Sequence, residues 1–158
     1  MRQRSSTLRR VEFPLEYDQL GHRLRSIAGI GIDYDHLGAR PKRLGEWTLD
    51  YDALGSRLRS IGSYSIAYDK LGSRPRRVGH WDLRYDMLGN RLRQIGPFDL
   101  DYDRLGNRVR RIGPLTISYD QLGNRPASVT VPDEQPLSDD LLVTLYLVLY
   151  FARQQRES

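Results

Sequence analysis

The stretch Phe98-Asp99-Leu100-Asp101-Tyr102-Asp103-Arg104-Leu105-Gly106-Asn107-Arg108-Val109-Arg110-Arg111-Ile112 decides how this chain is read. Its first half places apolar residues at every second position, Phe98, Leu100 and Tyr102. Period-two alternation of aromatic and aliphatic residues marks a half-buried strand. Asp103-Arg104-Leu105-Gly106 then marks a tight turn. Asp can bond its own backbone two residues on, and Gly accepts the positive φ that hairpin loops need. A second strand runs from the Arg to Ile112, so the segment reads as one β-hairpin.

The same unit occurs seven times, and repeats are sought before any other pattern. Its Tyr-Asp pair begins at Tyr17, Tyr34, Tyr51, Tyr68, Tyr85, Tyr102 and Tyr119, every spacing being 17 residues. Four residues after each Tyr stands a glycine: Gly21, Gly38, Gly55, Gly72, Gly89, Gly106, Gly123. Six after it stands an arginine: Arg23, Arg40, Arg57, Arg74, Arg91, Arg108, Arg125. An aliphatic residue closes the unit, from Ile27 to Val129. Tyrosines and glycines are expected to define the structural repeat. The arginines are the candidate anion-binding residues. A weaker period of 34 separates Trp47 from Trp81, and alternates Leu24, Leu58 and Leu92 with Pro41 and Pro75.

Side-chain faces suggest a register. With Asp52-Ala53-Leu54-Gly55 as a four-residue loop, Tyr51 pairs with Ser56 and Leu49 lies opposite Leu58. Asp50 then lies opposite Arg57, so that apolar meets apolar and acid meets base. Ile61 falls on the polar face in this register, which calls for a bulge near Ser60. Pro41, Pro75 and Pro126 also need an edge or a bulge, because Pro donates no ladder hydrogen bond.

Beyond Val131-Pro132 the pattern changes. After Asp133-Glu134-Gln135-Pro136, an apolar run extends from Leu141 to Ala152. Ser138 is a good N-cap, Leu137 and Leu142 can form a hydrophobic staple, and Asp139 and Asp140 suit the positive helix end. A helix of about four turns is expected. It is apolar all round and must be buried. Twelve residues are too few for a membrane span, which needs about 17–25.

The expected fold is therefore an all-β tandem repeat over residues 1–132, with a linker and apolar α-helix over 133–158 of the same domain. An antiparallel hairpin meander, rolled or closed into a barrel-like sheet, competes with a parallel solenoid of one coil per repeat. Turn chemistry favours the meander. Fourteen strands about 4.8 Å apart and tilted about 40° would close into a barrel about 28 Å across. A helix of about 10–12 Å diameter fits such a barrel as a plug, burying both Trp. The alternative place for the helix is an oligomer interface.

The repeated Tyr-Asp-x-Leu-Gly-x-Arg core over residues 13–131 resembles the YD-repeat family of the rearrangement-hotspot (Rhs) type. The resemblance implies one hairpin per repeat and a long coiling sheet. In large members of that family the sheet forms a hollow shell around a toxic cargo domain, or a scaffold on cell surfaces.

Composition narrows the function classes. Cysteine is absent, which excludes disulfides and thiolate metal sites. The basic N-terminus is followed by no apolar h-region, so the expected location is cytoplasmic. Residues 1–132 hold 23 Lys and Arg against 15 Asp and Glu, a basic body that attracts anionic partners. His22, His36 and His80 occupy three different repeat positions and form no recurring site. Gly29-Ile30-Gly31 lacks the third Gly and the helix of a phosphate-binding fingerprint. No catalytic, cofactor or metal site is expected. The expected function is a non-enzymatic structural or interaction module, with a protein partner or self-association through free edges near residues 8–13 and 128–131. If the sheet closes, those edges vanish and a monomer is expected. Binding of an anionic polymer (nucleic acid or acidic glycan) and of a small apolar ligand in the lumen are the alternatives.

Overall fold

The computed structural model describes residues 10–18, 23–35, 40–52, 57–69, 74–86, 91–103, 108–120, 125–132 and 137–157. Fourteen strands follow one another: β1 (Arg10–Tyr17), β2 (Leu24–Ile27), β3 (Ile30–Tyr34), β4 (Pro41–Leu44), β5 (Trp47–Tyr51), β6 (Leu58–Ile61), β7 (Tyr64–Tyr68), β8 (Pro75–Val78), β9 (Trp81–Tyr85), β10 (Leu92–Ile95), β11 (Phe98–Tyr102), β12 (Val109–Ile112), β13 (Leu115–Tyr119) and β14 (Pro126–Pro132). Each pairs antiparallel with its sequence neighbours, and β1 pairs with β14 to close the barrel. The meander is the fold, and the solenoid is not. One helix, α1 (Asp139–Glu157), completes the chain.

The register differs from the sequence reading by two residues at Tyr51 and by three at Asp50 and Leu49. Tyr51 pairs with Leu58, Asp50 with Ser60 and Leu49 with Ile61. Arg59 is the extra, bulged residue, one position from the expected site. The Asp52 N–H donates to the Arg57 carbonyl (2.9 Å), so the pairing runs on past Tyr51 to these two residues, and residues 53–56 lie outside the described residues. Asp50 therefore does not face Arg57. The bulge turns both Arg59 and Ser60 outward and returns Ile61 to the interior, which resolves the misplaced Ile61. The same geometry recurs around the barrel, giving seven buried inward pairs from Leu15 with Ile27 to Ile117 with Val129. Pro41, Pro75 and Pro126 open their strands beside the bulge, opposite Tyr34, Tyr68 and Tyr119, where a missing N–H is tolerated. The repeat glycines Gly21, Gly38, Gly55, Gly72, Gly89, Gly106 and Gly123 lie outside the described residues.

At the other end of the barrel, two-residue turns join successive hairpins. Gly96 shows why they need glycine. Its φ is 53°, in the left-handed region, and the Trp81 ring lies where a Cβ would stand. Trp47 and Trp81 are half-buried rather than fully enclosed. They form an edge-packed chain with Tyr64 and Phe98 around this mouth.

The closing pair reproduces a turn hairpin without the turn. Val129 faces Phe13 as Leu44 faces Trp47. Both strands then run on, pairing as far as Arg10 with Pro132.

Ser138 caps α1 as expected, its Oγ accepting from the Leu141 N–H at 3.2 Å. The helix is 19 residues, about five turns, one more than expected. Residues 142–148 are all buried, and they join the inward strand residues in a single core cluster. Two full turns buried on every side, in a chain whose other described elements form one closed sheet, place the helix inside the barrel. Asp140 accepts a hydrogen bond from the Tyr64 hydroxyl near the turn end (2.6 Å). Tyr150 hydrogen-bonds with Tyr51 towards the opposite end. The helix thus enters at the turn mouth and points its C-terminal half at the Tyr-Asp end.

Candidate functional site

Between hairpins the sheet is only lightly stitched. β2 and β3 pair at Ser26 with Gly31 and Ile27 with Ile30, and then diverge. The tyrosine closes this gap. Its hydroxyl donates to a backbone carbonyl of the preceding hairpin: Tyr34 to Leu24 (2.7 Å), Tyr68 to Leu58 (2.6 Å), Tyr102 to Leu92 (2.7 Å) and Tyr119 to Val109 (2.6 Å). Tyr51 and Tyr85 donate in the same way to the carbonyls of Pro41 and Pro75. Tyr17 donates to Pro126 at 2.7 Å, across the closing seam. A side chain thus satisfies a carbonyl that the ladder leaves open.

The arginine completes each junction. Arg23 lies over the Tyr34 ring at 4.4 Å, and Arg40, Arg57, Arg74, Arg91 and Arg108 lie likewise over Tyr51, Tyr68, Tyr85, Tyr102 and Tyr119. Arg125 lies over Tyr17 at 4.3 Å and shuts the ring. Every one of these arginines also pairs with the aspartate of its own turn. The Nε to carboxylate distance runs from 2.7 Å at Arg108–Asp103 to 3.7 Å at Arg125–Asp120. The belt therefore alternates carboxylate, guanidinium and phenol around the whole circumference. A planar guanidinium can bond an acid in its plane and stack on a ring across it, which an ammonium does not do as well. This accounts for Arg rather than Lys at all seven positions.

Burial is the first cause of the raised tyrosine pKa values. It pushes Tyr85 up to about 12, with the stacked Arg74 opposing. Tyr51, Tyr68 and Tyr102 are also raised by burial, Tyr51 and Tyr68 further by the nearby Tyr150 hydroxyl. At the other mouth, burial followed by the hydrogen bond to Asp140 raises Tyr64 to about 12. These phenols are proton donors fixed to carbonyls or to Asp140.

The structure thus gathers the seven nominated tyrosines and seven nominated arginines into one belt. The splay between the first two hairpins leaves an outer groove of about 320 Å³ beside it, lined by Asp18, Arg23, Arg25, Ile32, Asp33, Tyr34 and Asp35. Of the three histidines only His80 lies among the described residues, exposed in a turn beside Trp81. Sequence reasoning missed the bulge residues. Arg25, Lys42, Arg59, Arg76, Arg93 and Arg110 all stand exposed on the outer wall. Their signal was available: eight residues after Tyr, six of seven units carry a cation. No family model matches the chain, and neither the curated proteins nor the solved structures give a match.

Proposed function

We propose that this protein is a non-enzymatic structural and binding module, whose barrel encloses and holds its own apolar helix. The observation that carries the reading is the burial of residues 142–148 within the closed strand ring. The Tyr-Asp-Arg belt supports it, because its polar groups are directed to one another and to the backbone. A phenol donating to a carbonyl, with a guanidinium shared between an acid and a ring, is an arrangement for joining hairpins. The resemblance to the YD-repeat family agrees, as a small version of a sheet wrapped around contents. A lumen for a small apolar ligand competes with α1 for the same space. The outer wall carries charged residues, not the apolar band that a barrel presents to lipid.

Closure removes the free edges and favours a monomer. Size-exclusion chromatography with light scattering tests this on the full chain and on a chain ending at Pro132. A monomeric full chain, a truncation that aggregates, and rescue by an added peptide of residues 137–158 are the expected results. A defined oligomer whose truncation becomes a folded monomer would instead make α1 an assembly element.

A further inference from the structure

Departures from a repeat show where one unit differs in chemistry from the rest. The residue before the repeat tyrosine is an outward acid at Glu16, Asp33, Asp50 and Asp101. Glu16 accepts a hydrogen bond from Ser26 at 2.8 Å, and Asp50 faces Ser60. The acid is gone in three hairpins: Ala67 replaces it on β7, Arg84 on β9 and Ser118 on β13, the first two lying in adjoining hairpins and only Arg84 reversing the charge. Arg84 faces Gln94, and the bulged Arg93 lies immediately beside it. Arg76 is the bulged residue of β8, with its Nε donating to the Tyr68 carbonyl at 3.1 Å.

Over β7–β10, exposed Arg76, Arg77, Arg84 and Arg93 thus meet one acid, Asp82, which lies 3.5 Å from Arg77. The other described strand residues of the wall hold six exposed cations and six exposed acids, so the basic excess sits on this face. Like charges side by side in a sheet are destabilising. Arg84 faces Gln94 and not Arg93, but the bulge brings the two guanidinium-bearing residues close, a repulsion that an anion between them would offset.

We propose that the β7–β10 face docks an acidic polysaccharide. Arg76 and Arg93 stand two strands apart, about 9.6 Å, with Arg84 on the strand between. Phosphates of each strand recur about every 3.4 Å along the axis of a nucleic-acid duplex. An acidic glycan carries its charge once per sugar or per pair of sugars, which suits the wider interval. The repeat aromatics of these strands, Tyr64, Tyr68, Trp81 and Tyr85, pack against the core, so the face offers no platform for stacking bases. A duplex, stiff over about 50 nm, meets a barrel about 28 Å across only along a tangent.

The test uses the full chain and heparin as the probe, titrated at about 50 mM and 200 mM salt. Changing Arg76, Arg84 and Arg93 together to Gln weakens binding by about tenfold or more. Changing Arg25, Arg43 and Arg110 to Gln, which alters net charge equally, changes it by less than about threefold. A second variant, Ala67→Asp with Arg84→Asp, restores the acid that four other hairpins already accommodate and gives the same loss. Equal losses from the two triple variants, absence of heparin binding by the unaltered chain, or equally tight binding of single-stranded DNA would each overturn the proposal.

Discussion

Tyr17→Phe and Tyr102→Phe form a matched pair that tests whether the ring is closed. Each tyrosine donates to a strand carbonyl at 2.7 Å, Pro126 for Tyr17 and Leu92 for Tyr102. Each lies under an arginine, at 4.3 and 4.9 Å. Phe keeps the ring, the stacking and the packing against the core, and removes only the hydroxyl. A net hydrogen bond contributes about 0.5–1.5 kcal/mol, with the upper half applying when a partly buried carbonyl loses its donor. Each variant should therefore lose about 1 kcal/mol, lowering Tm by about 2–4 °C for a chain of this size. The two losses should agree to within about 0.5 kcal/mol, although residues 17 and 126 stand at opposite ends of the repeat array. Urea and thermal unfolding followed by circular dichroism measure both. If Tyr102→Phe destabilises and Tyr17→Phe does not, the seam is open in solution and the closed ring is wrong. If neither does, the hydroxyls do not hold the hairpins together.

Three further outcomes follow from the same geometry. Raised tyrosine pKa values mean that the folded chain holds these protons more tightly than the unfolded chain does. Stability is then intact below pH 10 and falls as pH rises from 10 through about 12. Each such phenol adds to the loss in that window, reduced by its partial exposure to solvent; phenolate absorbance rising at its ordinary pH with no change in far-ultraviolet dichroism would contradict this. Thr144 is fully buried in α1 and its hydroxyl has no partner among the described residues, so Thr144→Val should raise stability by about 1 kcal/mol, seen as a higher urea midpoint at unchanged slope; a lower midpoint means the hydroxyl is bonded in solution. Gly79 and Gly96 both have positive φ, but only Gly96 lies under a tryptophan. Ala should cost about 1–2 kcal/mol at Gly79 from backbone conformation alone and about 1–3 kcal/mol more at Gly96 from overpacking; equal melting temperatures would mean that Trp81 does not lie on that turn.

The strands and the helix were legible because their signals are local. The alternation from Trp47 to Tyr51 marks a strand whatever it pairs with. The run from Leu141 to Ala152 allows only burial. The register was less legible, because two pairings compete for Arg57. Charge complementarity across the strands favours Asp50, but Asp52 is within reach inside the same turn, at 2.8 Å. Choosing Asp50 shifted the pairing and left Ile61 outside. That anomaly carried the information, since a bulged Arg59 restores every face at once. The belt itself is tertiary, yet its trace is the constant interval of 11 residues from Arg23 to Tyr34 and from each later Arg to the next Tyr. In a repeat, any contact made once is made throughout. The basic face of β7–β10 was the hardest to see, because it consists of two missing acids and not of a motif.

An open solenoid can gain or lose a unit by unequal recombination and merely change length. A ring closed around a helix cannot. Deleting one 17-residue unit would narrow the barrel by about 4 Å, and duplicating one would widen it by as much. The first change crushes the inward side chains against α1, and the second leaves them out of reach of it. The helix is therefore a gauge of copy number. It makes seven the one count at which this gene can drift in sequence while its tandem array stays fixed in length.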